Sequence, residues 1–303
     1  MTAVTVFTHD AMLRHDPGAG HPERPERLRA VIDALDDSCA CETRTAPLAL
    51  DDDLLRVHPR GYLDELAKLS PASGRISLDP DTVMSPASLE SASRACGGVV
   101  EAVRLAAAGQ IGRAFCAVRP PGHHAGASRP MGFCLLSSVA VAARAAQAAG
   151  LQRVAVVDFD VHHGNGTQEV LQADSDLFFA SIHQWPNWPG TGEEGRHGNV
   201  VNATAAPGSP PEQWRTAFAG LMGPLDTFRP DLILVSAGFD AHVRDPLANL
   251  MLEAEDFAWA TRAILEVARS RCRGMVVSSL EGGYDLQALG RSAAAHVRAL
   301  QED

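Results

Sequence analysis

Lysine is almost absent from this sequence: Lys68 is the only one in 303 residues, so nearly all of the 26 basic residues are arginines. Together with 37 acidic residues they give a formal net charge of −11. General nucleic-acid binding needs a basic surface, so this charge argues against it. A cationic substrate or partner is compatible with the charge. The arginine bias, together with abundant alanine, indicates a GC-rich genome and favours a bacterial source.

Long apolar runs and paired cysteines are also missing. No run approaches the roughly 20 apolar residues that cross a bilayer. The first ten residues, MTAVTVFTHD, lack the basic segment and apolar core of a signal peptide. The six cysteines contain no CxxC motif, and Cys39 and Cys41 form the only close pair. These absences predict a cytoplasmic protein with reduced thiols and no membrane partner, and they leave its oligomeric state open.

Short apolar runs rich in β-branched residues alternate with longer helical stretches along the chain. The runs predict strands at 4–7, 114–118, 154–157, 177–182, 232–236 and 275–279. Helices are predicted at 25–35, 61–69, 87–108, 137–149, 212–228, 255–270 and 286–300. This alternation is typical of an α/β fold with a mostly parallel sheet covered on both faces. No linker divides the chain, so we expect one domain over residues 1–303.

Three potential metal ligands, Asp158, Asp160 and His162, alternate at the end of the buried strand at 154–157. Successive side chains of a strand point to opposite faces, so these three share one face. Buried carboxylates are costly unless they are paired or bound to a cation, and a divalent metal is the simplest explanation. The alternative is a polar strand end in which the aspartates cap the following helix.

Polar loops follow three other predicted strands, and the carboxyl ends of parallel strands are where ligands bind in open α/β sheets. The four loops together contain His123, His124, Asp160, His162, Asp240 and Tyr284. Asp160, His162 and Asp240 form a plausible three-ligand set that leaves a position for water or substrate, as catalytic zinc does. Fe(II), Co(II) or Mn(II) would accept the same ligands.

The remaining polar residues of these loops can supply acid–base chemistry. His123 and His124 follow a Pro-Pro-Gly turn, and either becomes a natural general base beside a metal. Asp158 can orient one imidazole and Asn165 the other, which would give the two rings different proton affinities. Tyr284 can donate a hydrogen bond to a developing oxyanion, because Gly283 before it permits a close backbone approach. This set indicates hydrolysis of an amide or ester.

These motifs together resemble the zinc-dependent histone deacetylase superfamily. The matching segments are 21–28 (HPERPERL), 119–125, 132–134, 158–166, 189–192, 238–240 and 281–285. The resemblance implies an arginase/deacetylase-type three-layer fold with an eight-stranded parallel sheet. It implies zinc on Asp160, His162 and Asp240, acid–base catalysis by His123 and His124, and carbonyl polarisation by Tyr284. It further implies a structural K⁺ near Asp158, Asp160, His162 and Ser181, tunnel walls at Phe133 and Trp188, and an acetyl pocket at Gly132 and Cys134.

Two positions refine the resemblance toward the class II and bacterial branch. Asn165 stands where class I enzymes usually carry aspartate, and Leu247 stands where the polyamine-preferring class II enzyme has an acidic gatekeeper. Leucine favours a neutral acyl-lysine stem, so we expect the substrate to be an acetylated protein, a peptide or a small acyl amide. The alternatives are an acetylpolyamine amidohydrolase, a non-catalytic acyl-lysine-binding module and an arginase-like enzyme with two metals.

Overall fold

The computed structural model describes residues 3–303, within which nine of eleven strands form one large sheet. The strands are β1 (Val4–Thr8), β2 (Cys41–Thr45), β3 (Ile76–Ser77), β4 (Val83–Met84), β5 (Arg113–Cys116), β6 (Val154–Asp158), β7 (Leu177–Gln184), β8 (Gly195–His197), β9 (Val200–Ala205), β10 (Leu232–Ala237) and β11 (Val276–Leu280). The helices are α1 (Glu26–Ser38), α2 (Asp51–Leu54), α3 (Arg60–Leu69), α4 (Ser88–Ala107), α5 (Ser138–Ala148), α6 (Asn165–Leu171), α7 (Pro211–Phe228), α8 (Ala254–Arg271) and α9 (Leu286–Leu300). A short 3₁₀ helix, Asp10–Arg14, follows β1.

The strand order of the large sheet is β2-β1-β5-β11-β10-β6-β7-β9-β8. Every pairing in it is parallel except that of β8 with β9. The expected eight-stranded parallel sheet is therefore confirmed, with β8 added as a short antiparallel strand at one edge. The remaining two strands, β3 and β4, form a separate antiparallel pair.

The central strands are buried along their whole length, as parallel strands covered on both faces must be. All six predicted strands are present, although the one expected at 114–118 occupies Arg113–Cys116, because Ala117 and Val118 stay buried but leave the hydrogen-bonded ladder. All seven predicted helices are also present. No helix within residues 3–303 combines the length and the apolar composition needed to cross a membrane.

The order of the strands determines where the polar loops meet. Neighbours in the sheet run β5-β11-β10-β6, and these are the four strands that the polar loops follow. Parallel pairing in register brings Asp158 at the end of β6 level with Ser236 on β10 and Ser181 on β7. The four loops therefore leave one edge of the sheet side by side.

A buried cluster of charged side chains ties the N-terminal segment to this edge. Both Glu23 oxygens accept hydrogen bonds from Arg119, at 2.6 and 2.7 Å, and Arg27 and His15 lie 3.1 and 3.2 Å from the same carboxylate. Burial opposes ionisation of Glu23, but the Arg119 charge prevails and holds its pKa well below the ordinary value. Arg27 also donates to the backbone oxygen of Gly283, at 2.6 Å. The loop that follows β11 is thus held by the N-terminal segment.

Candidate active site

Asp160, His162 and Asp240 converge at the carboxyl edge of the sheet. One potential ligand atom of each lies within 4.8 Å of the others, and all three residues are buried. Nδ1 of His162 is 3.1 Å from a carboxylate oxygen of each aspartate. One imidazole nitrogen and two carboxylates, with no cysteine, are a donor set typical of a catalytic rather than a structural zinc site.

The backbone holds both carboxylates of this set in position. The amide of Gly282 donates to Asp160 at 2.8 Å, and the amide of Val161 donates to Asp240 at 2.9 Å. A Cβ on Gly282 would lie 2.1 Å from an Asp240 oxygen, and one on Gly238 would lie 2.0 Å from an Asp160 oxygen. The space beside the ligand oxygens is therefore available only because both positions are glycine. Asp160, His162 and Asp240 fit a metal ion in that space.

The alternative reading of the strand end, in which its aspartates cap the next helix, is wrong. Helix α6 begins at Asn165, and its N-cap is Gly164, which makes no side-chain capping bond. Asp158 instead accepts from the amide of Asp160 at 3.1 Å and from the ring of His123.

His123 and His124 lie side by side, with ring centroids 3.9 Å apart. Nδ1 of His123 is 3.0 Å from a carboxylate oxygen of Asp158, which is buried. Nδ1 of His124 is 2.8 Å from the amide oxygen of Asn165, which is half-buried. The two rings therefore have partners of different charge, as the sequence led us to expect.

The electrostatic surroundings of the two histidines differ accordingly. Burial disfavours the charged form of His123, but the Asp160 and Asp158 charges outweigh burial and raise its pKa to about 10. Burial and then the charges of His123 and His162 lower the pKa of His124 well below the ordinary value. A charged His123 beside a neutral His124 is the state that these contacts favour near neutral pH.

Tyr284 is buried beside the metal-ligand set, in the loop after β11. Gly283 precedes it with a φ of 117°, a conformation that favours glycine, and the Arg27 guanidinium lies 4.8 Å from the centre of the phenol ring. The Tyr284 amide donates to Asp245 at 2.7 Å. Burial raises the pKa of the phenol well above its usual value, so the side chain keeps its proton and can donate a hydrogen bond.

A narrow cavity of about 230 Å³ leads from the surface to His124, His162 and Tyr284. Phe133, Trp188 and Leu247 line it, and the last two are 41% and 37% exposed, so they form its outer rim. Gly132 also lines it, with a φ of 56°, and a Cβ there would lie 2.4 Å from the Trp188 ring. Gly132 is therefore required for the width of this tunnel.

Three other predicted residues lie next to the tunnel or the metal ligands. Cys134 is buried behind the tunnel wall, and its thiol donates to the Gly132 carbonyl at 3.3 Å. Ser181 pairs in register with Asp158, but its hydroxyl also lies 2.9 Å from Nδ1 of His183. Gly283 carries the bend before Tyr284, which lines the tunnel.

Sequence reasoning gave no role to three acidic residues of this region. Glu281 is buried, and one of its oxygens accepts from the amides of Gly122 and His123, at 2.7 and 3.1 Å. Asp245 accepts from the amides of both Tyr284 and Leu247. Asp81 lines the tunnel mouth. In the sequence, Glu281 lies within a matching segment and Asp245 lies two residues before Leu247. The sequence does not show that these side chains are buried or which distant amides they contact.

Comparisons with known proteins identify the family and the fold to which the chain is similar. The histone deacetylase domain family matches residues 21–300. The histone deacetylase-like amidohydrolase of Pseudomonas aeruginosa is 39% identical over 278 residues, which are 88% of this chain and 73% of that protein. Histone deacetylase 10, chloroplastic, of Oryza sativa subsp. japonica is 40% identical over 92% of this chain and 69% of its own. The crystal structure of the HDA15 HD domain superposes with a TM-score of 0.91 at 33% identity, covering 99% of this chain and 91% of that one.

Proposed function

This chain belongs to the histone deacetylase family, and we propose that it is a zinc-dependent amidohydrolase that removes acetyl or other acyl groups from the side-chain amine of acyl-lysine, releasing acetate or the matching acid. The observation that supports this substrate is the 230 Å³ tunnel, whose rim carries the neutral, exposed side chains of Trp188 and Leu247 together with one carboxylate, that of Asp81. A lysine stem is long, apolar and uncharged once acylated, so it fits such a passage.

We assign the metal to Asp160, His162 and Asp240, with zinc as the first choice and Fe²⁺ or Co²⁺ as substitutes. A zinc ion bound there supplies Lewis-acid chemistry, polarising a carbonyl group and acidifying water. We also propose a structural K⁺ near Asp158, with oxygens from Asp160, His162 and Ser181. The pairing of Asp158 with Ser181 on neighbouring strands supports this assignment.

His124 acts as the general base in this proposal. It borders the tunnel, and its low proton affinity keeps it neutral, so its outer nitrogen can take a proton from the attacking water. His123, charged and hydrogen-bonded to Asp158, stabilises the negative charge that develops beside it. One of the two histidines then protonates the leaving amine.

Tyr284 donates a hydrogen bond from its phenol to the acyl oxygen as that oxygen gains charge. Arg27 and Asp245 hold the residue from two sides, through the ring and through the amide. Gly132 and Cys134 enclose the acyl group, and Phe133 and Trp188 confine the stem. Because Tyr284 is held in this way, its phenol can donate the hydrogen bond without rearrangement during the reaction.

In this proposal, residues 1–303 form one catalytic domain, which acts on acetylated proteins, peptides or small acyl amides without direct contact to nucleic acid or membrane. The arginine-rich, lysine-poor composition favours a bacterial source, and the unpaired cysteine pattern favours the cytoplasm as its compartment. Two plant relatives are named as chloroplastic, so related proteins are not confined to bacteria.

Substrate ranking tests the proposal directly. Zinc-reconstituted protein would be assayed on acetyl-lysine peptides, N-acetylputrescine and N-acetylspermidine, with a hydroxamate inhibitor as control. We expect hydroxamate-sensitive peptide turnover with little polyamine turnover. The reverse ranking would make the protein an acetylpolyamine amidohydrolase, and no turnover of any of these substrates would contradict the proposed activity.

A further inference from the structure

A groove lined with arginines begins beside the tunnel. Tyr284 borders both the tunnel and a cavity of about 420 Å³ that Arg24 and Arg244 also line. Arg24 in turn borders a second cavity, of about 580 Å³, together with Arg14, Arg29 and Arg75. The shared residues place the first cavity next to the tunnel and the second next to the first. We call this surface, defined by the five arginines, the arginine groove.

The charge of the arginine groove is opposite to that of the whole chain. Its lining contains five arginines and three carboxylates, Asp16, Glu26 and Asp285, whereas the chain has a net charge of −11. The net-positive lining is therefore a local feature of the surface around the tunnel.

Two of the five guanidinium groups are available to a ligand. Arg244 pairs with Asp285 at 3.1 Å, Arg14 pairs with Glu90 at 2.8 Å, and Arg75 pairs with Asp16. The side chains of Arg24 and Arg29 are exposed and have no hydrogen-bond or ion-pair partner within residues 3–303. Of these two, Arg24 borders both cavities, including the one that shares Tyr284 with the tunnel, whereas Arg29 borders only the second.

We propose that the arginine groove binds the acidic flank of an acyl-lysine substrate, so that the enzyme prefers acyl-lysines with aspartate or glutamate on one side in the sequence. A guanidinium binds a carboxylate through two parallel hydrogen bonds, which suits side chains of a peptide lying across the surface. The preference rests on the proposed deacylase function and extends it to the substrate's sequence.

The charge pattern also indicates what this surface disfavours. Asp81 lines the tunnel mouth, so the surface changes sign between the mouth and the arginine groove. A polyamine chain leaving the tunnel toward the arginine groove would place ammonium groups beside Arg24 and Arg244. An acidic peptide places carboxylates there instead.

A peptide series tests this preference. Acetyl-lysine peptides of equal length would carry two aspartates, two alanines or two lysines, on the N-terminal or the C-terminal flank in separate peptides. On one of the two flanks, we expect kcat/KM for the aspartate peptide to exceed that for the alanine peptide by roughly two- to fivefold for each exposed contact. The lysine peptide should have a lower kcat/KM than the alanine peptide. The advantage should shrink as salt is raised.

Charge reversal at one arginine locates the effect. In Arg24→Glu we expect the aspartate peptide to lose its advantage over the alanine peptide and the lysine peptide to overtake both. Arg196→Glu is the matched control. Arg196 is exposed and borders a cavity with Arg153 and Phe178, at the opposite edge of the sheet from the tunnel. The peptide ranking of this variant should equal that of the wild type. Circular dichroism melting would verify that both variants fold.

The outcomes separate the two proposals. If the alanine peptide is not hydrolysed by the metal-loaded protein, the proposed function fails. If it is hydrolysed but aspartate gives no advantage on either flank, or Arg24→Glu lowers all peptides by the same factor, the arginine groove is not a substrate-binding surface.

Discussion

The amide oxygen of Asn165 lies 2.8 Å from Nδ1 of His124. That oxygen can only accept a hydrogen bond, so Nδ1 of His124 carries a proton and the other ring nitrogen is left as a base. Since asparagine has no charge, it adds little to the proton affinity of the ring, and burial keeps His124 neutral. Its neighbour His123 has the charged Asp158 in the corresponding place.

Replacing this amide with a carboxylate should change the pH dependence of turnover. In Asn165→Asp the added negative charge raises the pKa of His124, so the neutral base is lost at a higher pH than in the wild type. We expect the acidic limb of the kcat/KM profile to move upward by about one pH unit. Initial rates between pH 5 and 9 would measure this. A limb that stays in place or moves downward would exclude His124 as the base.

The two tyrosines of the chain provide a matched pair of variants. Tyr284→Phe removes the phenol donor beside the metal ligands, and loss of one such donor typically lowers kcat by about 10²- to 10³-fold. Metal content should be unchanged, because no ligand is altered. Tyr62→Phe is the control: Tyr62 is buried and donates to the Leu135 carbonyl at 2.7 Å, outside the tunnel. It should lose stability of about 1 kcal/mol and keep its turnover. Equal turnover in Tyr284→Phe and wild type would contradict the role of the phenol.

The sequence was sufficient to predict the central strands and the residues at their ends, because buried parallel strands appear as continuous apolar runs. It failed for β2, which is mostly polar, and for β9, whose apolar run is interrupted by Asn202 and Thr204. Helix α6 was missed because it begins within the Gly164–Asn165–Gly166 segment, which resembles a turn. These elements depend on what packs beside them, which a local pattern does not contain.

The site shows the same division. Asp158, Asp160 and His162 alternate along one strand end and therefore share one face, so their proximity was predictable from their spacing of two residues. The adjacency of β5, β11, β10 and β6 depends on the strand order of the sheet, which chain order does not reveal. The contact of Asp245 with the amide of Leu247 is local, whereas its contact with the amide of Tyr284 spans 39 residues and has no local signal.

The glycine beside the ligand oxygens gives a steric test of the metal site. A Cβ in Gly282→Ala would lie 2.1 Å from Asp240 and 2.6 Å from Asp160, so the carboxylates must move apart. We expect zinc affinity to fall at least tenfold, measured by competition with a chelator. Gly223→Ala is the control, since it lies within α7 with open space at its Cβ, and it should gain about 0.5–1 kcal/mol in stability. Unchanged zinc affinity in Gly282→Ala would place the metal elsewhere.

Leu247 offers a test of substrate charge at the tunnel rim. Leu247→Glu places a carboxylate where the wild type has a 37% exposed leucine. A second ammonium group of an acetylated polyamine could then pair with it, whereas an acyl-lysine stem gains nothing. We expect the ratio of N-acetylspermidine to peptide kcat/KM to rise roughly tenfold. Leu247→Gln, of similar size and without the charge, is the control, and an equal rise in both variants would attribute the change to shape.

A buried histidine outside the site should make the fold sensitive to acid. His296 is enclosed by Phe115, Phe159 and Phe239, at ring-centroid distances of 5.7–5.9 Å, and its nitrogens lie 2.6 and 2.9 Å from the hydroxyls of Thr261 and Ser278. Burial lowers its pKa to about 3, compared with about 6.5 for an unfolded histidine.

The sign of its effect on stability follows from which state binds the proton. Between pH 6.5 and 3 the unfolded chain protonates His296 and the native protein does not, so this residue's contribution is complete above pH 6.5 and declines as the pH falls toward 3. The decline amounts to about 1.4 kcal/mol per pH unit from this one group. We expect His296→Gln to be less stable at pH 7, because glutamine cannot reproduce the ring contacts of His296 with Phe115, Phe159 and Phe239. Its free energy of unfolding, from urea denaturation at several values between pH 5 and 7, should nevertheless fall less steeply with acid than that of the wild type. Parallel slopes for the two proteins would mean that His296 is protonated in the native state, and that its two hydroxyl partners stabilise the charged ring.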